Sequence, residues 1–279
     1  ITCRDWSSDV CSSDLKSLYK KHSDAISLLM LIGTNFIYQK KLKKSVLFFN
    51  KVINKVFKNK SSLIYNIAQI FIDHKYYKIA LVYLQKSLKI SPKNEDILLD
   101  MAFCYDRLKK FEKAISLYNQ IVQTNPYSYF AGFNFGIELM QVGHFHKAVE
   151  CFDFSIALEQ NYTAAYFSKS ISLIKISKNN EAIETLDQLI SIEKNNSAYY
   201  YYRAFAHYIQ NNFENSTSDI MQCLNIEKNN HKAWFLLAKM LIKNNKIENA
   251  KKAIKKAIIL NNNNLKYKKL AKKIFSKSI

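Results

Sequence analysis

Residues 233–258 read AWFLLAKMLIKNNKIENAKKAIKKAI. Large apolar side chains recur here every three or four residues, the period of a helix and not the alternation of a strand. The polar run Lys243-Asn244-Asn245-Lys246 interrupts the pattern, so the stretch reads as two helices joined by a tight turn. A small residue sits within each half, Ala238 in the first and Ala250 in the second, twelve positions apart. Two helices approach to about 8–10 Å only where a side chain at the crossing is small. The pair therefore marks the crossing point of a helical hairpin.

The same pair recurs along the chain. Small residues stand at Ala80, Ala114, Ala148, Ala182, Ser216 and Ala250, each 34 positions apart. Twelve positions before them lie Ala68, Ala102, Gly136, Ser170, Ala204 and Ala238. Gly33 and Ser45 take these roles in an earlier unit that carries one extra residue before the next. All fourteen positions hold Gly, Ala or Ser, types that make up fewer than one residue in five of the chain. Large residues surround each crossing: Leu42, Tyr77, Phe111, Phe145, Phe213 and Ile247 after the turn, with Asn179 as the exception. Phe49, Leu84, Tyr118, Phe152, Leu186, Ile220 and Ile254 lie deeper. A 34-residue period of this kind is the mark of stacked helix pairs. Composition agrees, since 4 Gly and 2 Pro in 279 residues leave little for sandwiches, barrels or Gly-rich nucleotide folds.

FEKAISLYNQIVQTNP (residues 111–126), HFHKAVECFDFSIAL (residues 144–158) and the stretch at 233–258 resemble the tetratricopeptide-repeat (TPR) family. The resemblance implies an all-α, right-handed superhelical solenoid of antiparallel helix pairs. About seven 34-residue units start near 26, 61, 95, 129, 163, 197 and 231 and fill 26–264. A basic capping helix follows at 265–279, with Leu265, Leu270 and Ile274 inward and lysines outward. The family's proline at the repeat end survives as Pro92 and Pro126. Elsewhere Gln160, Lys194, Lys228 and Asn262 replace it, followed by Asn-rich turns such as Lys228-Asn229-Asn230. There Asn is expected to supply the left-handed backbone that a helix–helix turn needs.

Residues 5–15, DWSSDVCSSDL, match the conceptual translation of a sequencing-library adapter, so 1–15 are read as a non-native segment. Residues 16–25 read as the remnant of a preceding helix, whose loss is expected to leave Leu28 or Leu31 exposed. Cys3 and Cys11 then carry no meaning, and Cys104, Cys151 and Cys223 remain, without CxxC or metal-ligand spacing. Scattered free cysteines fit a reducing compartment, which points to the cytoplasm.

Signatures of catalysis are absent: there is no GxGxxG, P-loop, HExxH or GxSxG. His144 and His146 flank Phe145, but no further ligands stand nearby, and a metal site needs three or four. The apolar run from Ala25 to Tyr38 is shorter than the ~20 residues of a bilayer-spanning helix and carries the repeat's own spacing. No enzyme activity, cofactor, metal or small-molecule ligand is expected.

Charge is uneven. The net charge is +20, with 11 lysines against one acid in residues 16–60 and 13 against one in 239–279. Such ends suit nucleic acid or an anionic membrane surface. Codon bias is the preferred reading of them, because Lys, Asn, Ile, Phe and Tyr all have AT-rich codons. Beyond residue 15, arginine occurs only as Arg107 and Arg203.

In tetratricopeptide families the first helix of each pair lines the concave face. The resemblance therefore assigns a peptide-binding groove to Phe130, Phe133, Ile137, Phe167, Ile171, Tyr201, Tyr202, Phe205 and Tyr208, as one contiguous strip. Asp96, Asp100 and Asp106 would close it with acid at one end, and Lys232, Lys239 and Lys243 with base at the other. The family's carboxylate clamp needs Lys at a lining position that here holds Met30, Tyr65, Leu99, Phe133, Phe167, Tyr201 and Phe235, so that clamp is not expected. The expected function is a non-enzymatic scaffold that binds an extended peptide or helix of another protein. The alternatives are binding to nucleic acid or an anionic membrane surface through the Lys-rich ends, and a regulatory TPR part of a larger protein.

Overall fold

A computed structural model describes residues 26–276; the adapter-like segment and the expected helix remnant at 16–25 lie outside the described residues. Among the described residues there is no strand. Helices follow one another in pairs: α1 (Ile26–Tyr38) with α2 (Leu42–Lys55), α3 (Lys60–Asp73) with α4 (Tyr77–Ile90), and α5 (Glu95–Arg107) with α6 (Phe111–Thr124). Then come α7 (Tyr129–Gln141) with α8 (Phe145–Leu158) and α9 (Thr163–Lys175) with α10 (Asn179–Ile192). The last pairs are α11 (Ser197–Ile209) with α12 (Phe213–Ile226) and α13 (His231–Lys243) with α14 (Ile247–Leu260), before the single helix α15 (Leu265–Ser276). The chain divides into two compact units between Thr124 and Asn125. Within each, every helix packs on the next in sequence.

Each hairpin is held at its crossing. All fourteen small residues found at 34-residue spacing are buried. The seven large residues of the second helices, from Phe49 to Ile254, are buried as well. The fit is tight where the small residue is Gly. A Cβ added to Gly33 would stand 2.7 Å from the Phe49 ring, and one added to Gly136 would stand 2.5 Å from the Phe152 ring. Phe fills the second-helix position in these two pairs alone, and Leu, Ile or Tyr fills it where Ala or Ser is opposite. Gly thus makes room for the Phe ring at these two crossings, as close packing demands.

The turns inside the pairs share one backbone device. A left-handed residue recurs at Lys75, Lys109, Gly143, Ser177, Asn211 and Asn245, again 34 apart, with Lys40 in the first pair. Around it the chain closes the helix end: Lys109 donates its N–H to the Asp106 carbonyl at 2.7 Å and Lys110 donates to Tyr105 at 2.8 Å. These bonds satisfy carbonyls that the helix leaves open. Between pairs the expectation for Asn is corrected. Asn94, Asn196 and Asn230 have φ of −77°, −128° and −73°. Their side chains instead accept hydrogen bonds from the N–H groups of Ile97 (3.0 Å), Ala198 (3.1 Å) and Ala233 (3.1 Å). A helix start exposes unbonded donors, and an Asn carbonyl there satisfies one of them. Asn59, in the junction that carries the extra residue, does take the left-handed form.

In the first unit the core centres on three buried rings. Phe71 of α3 meets Phe49 of α2 edge-on at 5.5 Å and stacks on Tyr83 of α4 at 5.4 Å. Leu31 is 38% exposed, and Leu28 is half-buried. In the second unit the core runs through α11–α15, where Tyr267, Ala271 and Ile274 dock α15 onto α14. The inward stripe expected for this helix is corrected at one position, because Leu265 is 70% exposed. Tyr267 leads the stripe, and Leu265 precedes it by two positions, about 200° around a helix of 3.6 residues per turn.

Gly136→Ala is expected to destabilise the chain by about 1–3 kcal/mol in urea titrations. Overpacking against Phe152 outweighs the ~1 kcal/mol of helix propensity that Ala brings. Adding Phe152→Leu should recover most of the loss, since Ala68 with Leu84 is already such a pair. Gly143→Ala is expected to cost about 1 kcal/mol through backbone conformation alone, because at φ +83° its Cβ meets nothing within 4 Å.

Candidate functional site

Within the second unit α7 touches α9, α9 touches α11 and α11 touches α13, whereas the second helices of successive pairs make no comparable contact. The first helices therefore form the inner row, and their outward stripe forms one face. Phe130 is 48% exposed on it. Phe133, Ile137, Phe167, Ile171, Tyr201, Tyr202, Phe205 and Tyr208 are all half-buried.

Among the described residues the ring contacts of this unit gather in four groups and not in one strip. Tyr162, ahead of α9, meets Tyr129 at 5.2 Å and Phe133 at 4.9 Å, and Phe133 also leans on buried Phe152 at 5.8 Å. Phe167 meets Tyr199 and Tyr202, each at 5.3 Å, and Tyr202 meets Tyr201. Tyr208 meets Phe213 at 6.0 Å, and Phe235 meets Tyr267 at 4.5 Å. Aromatic edges and faces attract one another at these distances, so neighbouring pairs draw their rings together. Phe133 and Phe167 thereby carry packing as well as surface. Burial pushes the Tyr201 hydroxyl up to about 12, so it remains a neutral donor.

Charge at the lysine end is held by rings. The Lys239 ammonium lies 5.1 Å from the centre of Tyr208 and 5.7 Å from that of Phe235. Lys243 lies 5.5 Å from Phe213 and 5.9 Å from Tyr208. Lys232 is exposed. The acidic residues belong to the first unit, and two of them are engaged there. Asp100 accepts hydrogen bonds from the Tyr65 hydroxyl (2.7 Å) and the Gln69 amide, both on α3. Burial raises its pKa, and those bonds oppose the rise. Asp106 lies 3.6 Å from the Arg107 guanidinium, which itself sits over the Phe103 ring at 4.9 Å. Asp96 is exposed.

Two family models described as tetratricopeptide repeat match residues 72–132 and 231–264. The chain carries tetratricopeptide repeats. Solved structures share the fold along most of its length. A tetratricopeptide repeat protein from Parabacteroides merdae is 21% identical, covers 90% of this chain and 98% of its own, and gives a TM-score of 0.60. Cut9–Hcn1, a hetero-tetramer of the APC/C, is 14% identical over 93% of this chain and 51% of its own, at 0.60. YrrB, described as a TPR protein with an unusual peptide-binding site, is 12% identical over 68% of this chain and 97% of its own, at 0.57. A search of curated proteins gives no match.

Other features of the TPR array bear on its chemistry. Among the described residues no group of His, Cys, Asp or Glu gathers into a metal site, and no helix is long and apolar enough to cross a membrane. Cys104, Cys151 and Cys223 are free, and burial pushes their thiols up to about 12, 11 and 12. They are packing groups, because the thiolate is the reactive form.

One cluster went unforeseen in the sequence. Arg203 on α11 donates Nε to Asp219 Oδ2 at 2.9 Å and Nη2 to Asp219 Oδ1 at 2.5 Å, and Nη1 to Asp187 Oδ1 at 2.6 Å. His207, one turn on, places Nε2 4.0 Å from Asp219, and its Nδ1 is buried without a partner. These side chains, with Ile183, Asn215 and Ser218, line a cavity of about 310 Å³. A signal was present: Asp219 stands one place before core Ile220, and Arg203 one place before crossing residue Ala204. Charge beside the core requires a partner.

Burial holds the His207 pKa below 6.5, with Asp219 opposing and Arg203 assisting. The unfolded chain takes up this proton first, so stability is intact above pH 6.5 and falls as pH drops below it. His207→Gln is expected to remove that part of the acid-side loss, seen as a shallower fall in melting temperature between pH 7.5 and 5. An unchanged slope would reject the assignment.

Proposed function

We propose that the chain is a non-enzymatic scaffold whose second unit holds an extended peptide or a helix of another protein against its first-helix face. The observation that carries this reading is the inner row α7–α9–α11–α13, which leaves apolar side chains half-open along one side. Solenoids use such faces for binding because stacked repeats present a continuous surface. YrrB and Cut9–Hcn1 support the reading through what their descriptions say of them, a peptide-binding site in one and an assembly with other chains in the other. Phe130, Ile137, Ile171, Phe205 and Tyr208 supply contact, while Phe133, Phe167, Tyr201 and Tyr202 shape the face through their ring contacts. Lys232, Lys239 and Lys243 border it. Asp96, Asp100 and Asp106 belong to the first unit, where Asp100 and Asp106 are engaged, and they form no part of this face.

The combined change Phe130→Ala, Phe205→Ala and Tyr208→Ala is expected to weaken capture of a protein partner by more than tenfold, as loss of apolar anchors does. Circular dichroism should stay helical. Full capture by a folded variant would reject the face.

A second reading rests on α14 and α15. Lys252, Lys256, Lys268, Lys269 and Lys272 are exposed there, and beside them Ile259 is 75% and Leu265 is 70% exposed. Exposed aliphatic groups among lysines suit an anionic membrane surface. Sedimentation with phosphatidylserine vesicles should fall steeply with salt and with Lys252→Glu, Lys256→Glu and Lys269→Glu together. Equal sedimentation of wild type and variant would reject this second site.

A further inference from the structure

Some cations of the second unit sit against carboxylates. Lys169 is 2.6 Å from Asp153, Lys251 is 2.7 Å from Glu248, and Arg203 is bound by two aspartates. Lys239 and Lys243 differ: among the described residues no carboxylate lies within 4 Å of either, and each rests on two rings. Neither α11 nor α13 contains Asp or Glu. Asp219, the buried acid of α12, is committed to Arg203. A ring attracts an ammonium through its quadrupole but does not cancel its charge. Two positive charges one helical turn apart are thus held in place, on the face that carries Phe205, and left without counter-charge.

We propose that this lysine–aromatic end of the face takes an acidic peptide segment, in which two Asp or Glu side chains meet Lys239 and Lys243 and an apolar residue lies against Phe205. The inference rests on the reading of the first-helix face as a protein-binding surface. Residues at i and i+4 of a helix are about 5–6 Å apart at Cβ, and alternate residues of an extended chain are about 6.5–7 Å apart, so either form of peptide places two carboxylates at this spacing. Single-stranded nucleic acid would need open ring faces for its bases to stack on. Here Tyr208 is flanked by both lysines, and Phe235 lies between Lys239 and Tyr267. Preformed lysines save the ligand part of the side-chain ordering that binding otherwise costs.

The test is selection from a random 12-residue peptide library displayed on phage, with the full chain as bait. Wild type should enrich peptides with two or more acidic residues beside an apolar one. Changing Asp and Glu of a selected peptide to Asn and Gln should weaken binding at least tenfold by fluorescence anisotropy. The pair Lys239→Gln and Lys243→Gln should weaken it similarly, and Lys239→Glu with Lys243→Glu should shift selection to basic peptides. Lys147→Glu with Lys194→Glu, the same charge change at two exposed lysines away from this face, should leave the preference intact. Selected peptides of neutral composition, equal binding of the amide form, or an equal effect of this control would each overturn the proposal while the binding face stands. A face that selects no peptide, in a chain whose partner capture ignores Phe130, Phe205 and Tyr208, would remove both. Displacement of the peptide by oligo(dT) together with failure of the acidic preference would assign the lysines to nucleic acid and overturn the proposal.

Discussion

Two helices can lie close only where one of them has almost no side chain, and this condition is imposed at every hairpin of the chain. Its effect reaches beyond the crossing atoms. Where the small residue is Gly, the space a Cβ would take is filled by a ring from the opposing helix, Phe49 against Gly33 and Phe152 against Gly136. The crossing also fixes which stripe of the first helix turns away from its partner. In the second unit that stripe becomes the candidate face, and the rings on it are drawn into contacts with the next pair.

The fold class was open to reading because its cause is local and periodic. Spacings of 12 and 34 between small residues, with 3.6-period apolar groups around them, require no knowledge of distant contacts. The turns were readable only in part. Asn was rightly noticed between the pairs, but its side chain caps a helix there, while Lys, Ser and Asn inside the pairs take the left-handed backbone. Sequence shows which residues tolerate a conformation, whereas hydrogen-bond demand decides where it is used.

The candidate face was legible as a list of positions and not as a surface. Spacing places Phe133 and Phe167 on the stripe, yet how much of each ring is spent on packing depends on Tyr162, Tyr199 and Tyr202 in the neighbouring pair. Charges are harder still. Asp100 is engaged by α3, some thirty residues earlier, and Arg203 reaches carboxylates sixteen positions away on either side. Such pairings depend on rotamers and on the rotation between adjacent hairpins, and neither is written in a repeat motif.

Arg203 ties α10, α11 and α12 through Asp187 and Asp219. A repeat array opens one neighbour contact at a time, and other junctions here are crossed by single polar contacts such as Tyr65 to Asp100 and Lys169 to Asp153. A guanidinium bound on both sides by carboxylates sets a barrier of another kind, since opening beyond it strands buried Asp219 without its counter-ion. Amide hydrogens on the α15 side of this tie therefore belong to a less protected segment than those behind it. The array carries a graded resistance to unravelling inside what its periodicity presents as a uniform stack.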